Sequence, residues 1–261
     1  SVGAVRDYLL GVVLVNGRAE LLTFGGQVMK NVAGYDVSRL MAGAWGTLGL
    51  LAEVSLKVLP LAPAEATLRF ECNQADALRR LHAWGGQPLP LNASCWVEDA
   101  GVGTLYVRLR GPVAAVDAAC KSMGGTRLDN ATVAPDWQAC REQTLPWFTA
   151  RQTQPGQALW RLSVPATAPV LALPAGASPL VEWHGALRWV QAPLAQGDAL
   201  REAARAVGGN ATLFIADGAD ESSAGAQFDL NSPALAQIHE RIKRSFDPAG
   251  VFNPGRMAPQ W

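Results

Sequence analysis

Three glycines, Gly43, Gly46 and Gly49, stand directly before an apolar run in the segment MAGAWGTLGLLAEVSLKV, residues 41–58. Glycine weakens regular structure, so a cluster at an element boundary indicates a backbone with positive φ or one that something approaches closely. Such a turn exposes N–H groups without side chains, which suits an anionic or flat polar ligand lying on the main chain. A tight turn with a purely structural role has the same pattern, so the spacing alone leaves both alternatives open.

A second candidate for chemistry lies around one of the three histidines. In VEWHGALRW, residues 181–189, the pattern predicts a strand that places Glu182 and His184 on one face, two residues apart. A carboxylate can orient an imidazole as a general base, so we predict a catalytic pair if this face meets a substrate. The alternative is a structural strand pair in which Trp183 and Trp189 are the packing residues.

Composition excludes several other classes of function. The four cysteines form no Cys-x-x-Cys pair, so we predict free thiols and no zinc or iron–sulfur centre. The 22 Lys and Arg balance the 22 Asp and Glu, which predicts no nucleic-acid partner. The longest apolar stretches are interrupted well short of the roughly 18 residues of a membrane span, so we expect no direct membrane insertion.

The elements that must position these residues predict an α+β fold. Three helical patterns, at 75–86, 114–125 and 199–209, each end in Gly-Gly, which predicts left-handed C-caps. Alternating strand patterns lie around them. The order strand, helix, Gly-Gly, strand occurs about twice, which predicts a ferredoxin-like repeat: an antiparallel sheet over 63–225 with helices on one face.

The flanking regions carry their own turn and helix signals. An Asn-Gly pair at 16–17 predicts a β-hairpin, and Asp36 is the predicted cap of a short helix. A last helix begins at Ser232-Pro233. Its predicted buried stripe consists of Leu235, Ile238, Ile242 and Phe246.

Two segments closely resemble one family. They are GGQVMKNVAGYDVSRLMAGAWGTLGLLAEVSLKVLP (25–60) and the ending FDPAGVFNPGRM (246–257). They resemble the FAD-linked oxidases of the vanillyl-alcohol-oxidase type, whose PCMH-type flavin domain carries Gly-Tyr-Asp, then Gly-x-x-Gly-Thr-Leu-Gly, and ends in Asp-Pro-x-x-x-Phe-Asn-Pro-Gly. Within the family, the first segment is most similar to FAD-binding subunits of glycolate oxidases. The resemblance spans residues 2–257 and is weakest in the middle.

The resemblance implies FAD as cofactor and assigns contacts to it. In the family, the glycine turn and the start of the next strand run along the diphosphate and adenosine; the matching residues are Gly43, Gly46, Thr47, Gly49, Leu50 and Leu51. The preceding loop lies near the ribityl and flavin end; its matching residues are Lys30, Asn31, Gly34, Tyr35 and Asp36. The C-terminal turn lies beside the isoalloxazine and is represented by Asn253.

The resemblance also implies a domain organisation. Residues 1–62 match the C-terminal lobe of the FAD-binding domain, 63–225 a cap or substrate domain, and 226–261 a segment that returns to the FAD domain. We expect the chain to lack the Pro- and Gly-rich phosphate-binding lobe that comes first in the family, and therefore to be inactive by itself. Whether it retains FAD is left open.

The implied function is that of the FAD-binding subunit of a glycolate oxidase or dehydrogenase complex. The complex oxidises glycolate to glyoxylate and passes electrons to the respiratory chain, with a second flavoprotein subunit and an iron–sulfur subunit as partners. We expect it in the cytoplasm, or at the inner membrane through its partners. Two alternatives stay open: a non-catalytic assembly subunit, because the His and carboxylate string of catalytic members is missing, and a flavin oxidoreductase for another 2-hydroxy acid.

Overall fold

The computed structural model describes residues 3–26, 35–99, 101–154, 156–216, 228–229 and 232–258. The chain folds into two compact units, Gly3–Pro60 with Ala226–Trp261, and Leu61–Gly225. We call them the three-stranded unit and the eight-stranded unit after their sheets.

The three-stranded unit begins with a short helix and contains an antiparallel sheet in the order β2-β1-β3. Its first elements are α1 (Val5–Tyr8), β1 (Leu9–Val15), β2 (Leu21–Gly25) and β3 (Leu50–Leu56). The predicted hairpin is confirmed, although its loop runs from Asn16 to Glu20. The longer loop forms because Asn16 Oδ1 accepts hydrogen bonds from the N–H groups of Arg18 (2.9 Å) and Glu20 (3.0 Å).

Two further helices pack on this sheet, α2 (Val37–Met41) and α8 (Pro233–Phe246). The carboxylate of Asp36 accepts from the N–H of Arg39 at 3.1 Å, so Asp36 caps α2 as predicted. The core consists of Leu9, Val12, Leu14, Met41, Ala44 and Leu48, with Phe24, Val37, Ala42, Ile242 and Phe246 packed against it.

The predicted stripe of α8 is wrong in its first half. Ile242 and Phe246 pack against the core, whereas Leu235 and Ile238 are 50% and 49% exposed. Only the last turns of the helix lie on the core of this unit, so the apolar periodicity extends further than the burial.

The eight-stranded unit contains one antiparallel sheet in the order β11-β8-β10-β9-β5-β6-β4-β7. Its strands are β4 (Ala64–Glu71), β5 (Leu91–Asp99), β6 (Val102–Gly111), β7 (Thr126–Leu128), β8 (Gln157–Ser163), β9 (Pro179–Glu182), β10 (Leu187–Pro193) and β11 (Asn210–Ala216). The two halves meet where β5 pairs with β9, with Cys95 opposite Glu182. Sheets and helices together confirm the predicted α+β fold.

Helices cover both faces of this sheet, so the prediction of helices on one face is wrong. The helices α3 (Gln74–Gly85), α4 (Val113–Met123) and α7 (Gly197–Arg205) lie on one face, and α5 (Asn130–Glu142) and α6 (Pro146–Thr149) on the other. The strands carry apolar side chains on both faces. In β6, Leu105 and Val107 belong to one core and Tyr106 between them packs against the other.

The predicted left-handed caps form at one of the three Gly-Gly pairs. That pair follows α7: Gly208 has a φ of 80°, and the N–H groups of Gly208 and Gly209 donate to the carbonyl oxygens of Arg205 (2.9 Å) and Ala204 (2.8 Å). Gly124, which ends α4, has a φ of 68° but a ψ of −150°, outside the left-handed helical region. Gly86 ends α3 with a φ of −85°. A Gly-Gly pair thus marked where helices end, but the conformation of the cap differed.

Candidate functional site

The glycine turn, residues 42–49, connects α2 to β3 and lies partly at the surface. Trp45 and Gly46 are exposed and have positive φ values of 52° and 69°. A tryptophan in this conformation is uncommon and is maintained only where the surrounding contacts require it. The contacts come from the C-terminal turn, residues 251–257.

Gly46 and Gly49 are required for different reasons. A Cβ on Gly46 would lie 2.6 Å from Nδ2 of Asn253, so this glycine admits the C-terminal turn. A Cβ on Gly49 would lie 2.6 Å from the carbonyl oxygen of Val15 and 2.5 Å from Cδ1 of Leu14. Gly49 is therefore needed for the close approach of the turn to β1. Gly43 follows α2, and a Cβ there would meet no atom within 4 Å.

The side chain of Thr47 points inward. It is fully buried, and its Oγ1 donates to the carbonyl oxygen of Ala44 at 2.6 Å and contacts Sδ of Met257 at 3.7 Å. Its backbone is engaged as well: the N–H donates to the carbonyl oxygen of Ala44 at 3.0 Å, and the carbonyl oxygen accepts from Lys243 at 2.8 Å. Leu50 and Leu51, which begin β3, are 60% and 41% exposed.

The C-terminal turn packs directly on the glycine turn. Asn253, with a φ of 40°, donates from Nδ2 to the carbonyl oxygen of Trp45 at 2.9 Å. The guanidinium of Arg256 lies 5.2 Å from the ring centroid of Trp45, at cation–π distance. Phe228 contacts the same ring edge-on, with centroids 5.6 Å apart. The indole is thus fixed between an arginine and a phenylalanine.

This arrangement can bind an anion. Within the described ranges, the backbone N–H groups of Trp45 and Gly46 donate to no protein acceptor, and both residues are exposed. The exposed cation of Arg256 is held beside them through Trp45. Successive amides in a positive-φ turn next to a cation favour phosphate or carboxylate groups. The residues present therefore fit the diphosphate of a dinucleotide such as FAD.

The loop before α2 is described only in part. Lys30, Asn31 and Gly34 lie outside the described residues. Tyr35 is 97% exposed, so its ring is available to a ligand. Asp36 is engaged by α2, since its second carboxylate oxygen also pairs with Nε of Arg39 at 3.2 Å.

The strand predicted over 181–189 is wrong. β9 ends at Glu182, and a tight turn over Trp183–Gly185 follows, with φ values of 51° at Trp183 and 53° at His184. The turn is held from two sides. The N–H of His184 donates to Oγ of Ser94 at 2.9 Å, and the buried guanidinium of Arg188 donates to the carbonyl oxygen of Gly185. Glu182 and His184 are therefore not neighbours on one strand face.

Glu182 binds two other side chains. Its Oε1 accepts from Sγ of Cys140 at 3.0 Å, and its Oε2 accepts from Nε1 of Trp189 at 2.5 Å. Burial raises the pKa of Glu182, although these two hydrogen bonds act against the rise. The hydrogen bond with Cys95, burial and the nearby Glu182 charge raise the pKa of Cys140.

His184 is partly buried, and this lowers its pKa to about 4. Its imidazole is therefore neutral at physiological pH. A catalytic role for Glu182 and His184 stays a prediction. The two carboxylate oxygens of Glu182 accept hydrogen bonds from Cys140 and Trp189.

Two residues of the site were missed from the sequence, Lys243 and Asp247. They form a buried ion pair (2.6 Å) beneath the glycine turn. The available signal was a lysine four residues before an aspartate at the end of a helix, a spacing that brings the two side chains together.

No group of three or more His, Cys, Asp or Glu side chains in the described part of the chain could hold a metal ion. Among the same residues, no helix has the length and apolar character needed to cross a membrane. The four cysteines are free thiols.

The fold is shared with a solved oxidase structure. The 4-ethylphenol oxidase from Gulosibacter chungangensis, in complex with isoeugenol, superposes with a TM-score of 0.59 at 15% identity, covering 97% of this chain and 66% of that one. At this identity the comparison concerns the fold alone.

Sequence comparison is more specific. The glycolate oxidase subunit GlcE of Escherichia coli (strain K12) is 42% identical over 255 residues, which cover 98% of this chain and 66% of the relative. The glycolate oxidase subunit GlcD of Bacillus subtilis (strain 168) is 39% identical over 75 residues, which cover 29% of this chain and 16% of the relative. No protein-family model matches the sequence.

The chain belongs to the FAD-linked oxidase family. Within that family its sequence is similar to GlcE over nearly its whole length, while it spans 66% of the length of that relative.

Proposed function

We propose that this chain is the FAD-binding subunit of a glycolate oxidase or dehydrogenase complex. The observation that carries the proposal is that the exposed amides of Trp45 and Gly46 lie beside Arg256. The two amides belong to the segment that resembles the family's flavin signature, and Arg256 belongs to the C-terminal segment that also resembles it. The similarity to GlcE, a glycolate oxidase subunit, supports the choice of substrate.

In this proposal the two turns hold the diphosphate of FAD. The C-terminal turn, which the resemblance assigns to the isoalloxazine, is thus proposed to lie beside the diphosphate, because Asn253 and Arg256 both contact Trp45 of the glycine turn. The amides of Trp45 and Gly46 donate to its oxygens, and Arg256 supplies a positive charge. Asn253 fixes the carbonyl of Trp45 and with it the direction of the next amide. Lys30, Asn31, Gly34 and Tyr35 stay predicted contacts toward the flavin end.

The domain roles follow from the same assignment. The three-stranded unit is the C-terminal lobe of the FAD-binding domain, and its residues 226–261 return to it. The eight-stranded unit, predicted over 63–225, is the cap or substrate domain. These roles are proposals that rest on the family of the chain.

FAD, when bound, supplies the two-electron oxidation of an alcohol carbon. The chain's own contribution is to bind and orient that cofactor through rigid backbone groups. We propose glycolate, a 2-hydroxy acid, as the substrate and glyoxylate as the product, within a complex that also contains a second flavoprotein subunit and an iron–sulfur subunit. The complex is proposed to work in the cytoplasm or at the inner face of the membrane through its partners.

A second candidate is a non-catalytic assembly subunit of the same complex. The observation that favours it is the engagement of Glu182: Cys140 and Trp189 each donate to one oxygen of the carboxylate that was predicted to orient His184. In this case another subunit contributes the catalytic base.

Anaerobic addition of glycolate to the FAD-loaded full-length protein distinguishes the two candidates. Loss of the flavin absorbance band without other subunits supports the catalytic role. Bleaching only after the partner flavoprotein is added supports the assembly role. A full-length protein that binds no FAD, alone or in the complex, contradicts the proposed function.

A further inference from the structure

Lys243 joins the two turns of the candidate site at a single atom. It lies near the end of α8, with 4% of its surface exposed. Its Nζ donates to the carbonyl oxygen of Thr47 at 2.8 Å, to that of Phe252 at 2.7 Å and to Oδ2 of Asp247 at 2.6 Å. An ammonium group has three donors, so each of them is used.

Asp247 completes this network. It is 2% exposed, and it accepts from the N–H groups of Val251 at 3.0 Å and Phe252 at 2.8 Å. Burial alone would raise the pKa of Asp247, but the hydrogen bonds from Lys243, Phe252 and Val251 outweigh it and lower the pKa. The carboxylate therefore stays ionised and holds the start of the C-terminal turn.

The hairpin loop closes the other side of the carboxylate. The N–H of Gly17 donates to the carbonyl oxygen of Phe246 at 2.8 Å, and a Cβ on Gly17 would lie 2.3 Å from Oδ1 of Asp247. Three segments of the unit thus enclose one ion pair.

Stability alone does not explain a buried ion pair. Removing two charges from water offsets much of their attraction, and apolar replacements are often as stable. An apolar pair, however, could not bind the carbonyl oxygens of Thr47 and Phe252. The distinctive property of Lys243 is that it fixes the orientation of these two peptide groups.

That orientation controls the donors of the glycine turn. In a trans peptide the C=O and the following N–H point in opposite directions. Because Lys243 binds the carbonyl of Thr47, the N–H of Leu48 points away from Lys243. In the same way, Asn253 binds the carbonyl of Trp45 and turns the N–H of Gly46 away from itself. Leu48 belongs to the buried core, so its amide is not a donor of the site. Lys243 reaches the exposed amide of Gly46 through the peptide between Phe252 and Asn253, whose carbonyl oxygen it binds.

We propose that Lys243 is a positioning residue of the cofactor site, whose ammonium orients the amides of the glycine turn for an anionic ligand. It acts through the carbonyls of Thr47 and Phe252 and does not touch the ligand. The identity of the ligand, the diphosphate of FAD, rests on the proposed function; the coupling between the two turns does not.

The test compares four forms of the full-length protein. Lys243→Met removes the ammonium but leaves a buried, unpaired carboxylate, which alone can prevent folding. The double variant Lys243→Met with Asp247→Asn removes both charges and keeps an acceptor oxygen toward the C-terminal turn. Lys57→Met is the matched control, because Lys57 is an exposed lysine of the same unit. Wild type is the reference.

Two quantities report on the site, and urea unfolding checks that each variant folds. The first is the dissociation constant for FAD, from flavin fluorescence. The second is the position of the Gly46 and Leu48 amide signals in NMR spectra of protein labelled with ¹⁵N at Gly and Leu, recorded without cofactor. We expect the double variant to unfold at a urea concentration close to that of wild type, to bind FAD about tenfold more weakly and to show shifted Gly46 and Leu48 signals. Lys57→Met should change neither quantity.

A double variant that binds FAD within about twofold of wild type overturns the positioning role while the proposed function stands. If wild type binds no FAD, the proposed function fails, and the NMR signals alone test whether Lys243 orients the amides of the glycine turn. Unmoved Gly46 and Leu48 signals in the double variant then overturn the inference, and shifted signals support it.

Discussion

The side-chain nitrogen of Asn253 donates a 2.9 Å hydrogen bond to the carbonyl oxygen of Trp45, a residue 208 positions earlier in the chain. Both residues have positive φ, 40° at Asn253 and 52° at Trp45. Asparagine adopts this region more readily than most residues, and tryptophan does so rarely. The bond therefore joins two strained turns, and each holds the other in its conformation.

Replacing Asn253 by Asp should weaken FAD binding. The carboxylate cannot donate to the carbonyl of Trp45, and its negative charge lies beside the proposed diphosphate site. We expect the dissociation constant to rise by about tenfold or more, because the repulsion between the carboxylate and the diphosphate adds to the loss of a neutral hydrogen bond of about 0.5–1.5 kcal/mol. Flavin fluorescence titration measures the change.

The control is Asn253→Gly, which keeps the positive φ and removes the donor without adding a charge. It should lie between wild type and Asn253→Asp. Equal affinity of all three proteins would show that this side chain has no part in binding.

Removing the charge of Arg256 should make FAD binding weaker and less sensitive to salt. The guanidinium is exposed and held on Trp45, so its attraction to a diphosphate is screened by ions. In Arg256→Ala we expect a several-fold loss of affinity at low ionic strength and a smaller loss at high ionic strength. Arg244→Ala removes an exposed arginine that pairs with Glu240 on α8 and serves as control. A salt dependence identical to wild type in Arg256→Ala would contradict the assignment.

Gly49→Ala should destabilise the three-stranded unit more than Gly43→Ala. Both positions have positive φ, 153° and 88°, so both substitutions strain the backbone by about 1–3 kcal/mol. Only the Cβ at position 49 also collides with Val15 and Leu14. Urea unfolding should therefore give a lower free energy of unfolding for Gly49→Ala than for Gly43→Ala, and equal values would contradict the close packing of this turn on β1.

His184 should make the protein less stable in acid. The folded chain holds its pKa at about 4 through burial, while the unfolded value is about 6.5. Between these pH values the unfolded state binds a proton that the folded state does not, so the free energy of unfolding falls as the pH falls from 6.5 to 4. Glu182, whose pKa is raised, acts in the opposite direction: its protonation in the folded state raises the free energy of unfolding as the pH falls.

Comparison with a variant isolates the histidine. His184→Asn suits the left-handed conformation of this turn and does not titrate. The unfolding free energy of wild type minus that of His184→Asn should fall as the pH falls from 6.5 to 4, because only the wild type loses stability through this histidine. Parallel pH profiles of the two proteins would show that His184 is not buried as described.

Local sequence signals predicted much of the fold. The hairpin at Asn16-Gly17, the cap at Asp36 and the α+β class were all predicted, because each depends on a few neighbouring residues or on a regular apolar period. Predictions that depended on what lies opposite an element did worse. The apolar period of α8 continues through Leu235 and Ile238, yet only the end of the helix meets the core of its unit.

The candidate site shows the same limit. The glycine turn was found from its spacing and resemblance, but its partners Lys243 and Asp247 lie almost two hundred residues further on and form no contiguous pattern with it. The strand predicted at 181–189 failed because a turn forms at Trp183–Gly185, held by Ser94 of β5 and by Arg188 within the predicted stretch itself. The contact with Ser94 could not be read from the local pattern. Tertiary contacts decided both outcomes.

The most direct test of the central claim, that the glycine turn and the C-terminal turn bind the diphosphate of FAD, is a competition titration of the full-length protein. FAD binding is followed by flavin fluorescence, with ADP and riboflavin as competitors. We predict saturable binding of one FAD per chain, displacement of FAD by ADP, and much weaker competition by riboflavin, which has no diphosphate. Riboflavin competing as well as ADP, or no binding of FAD at all, would contradict the account.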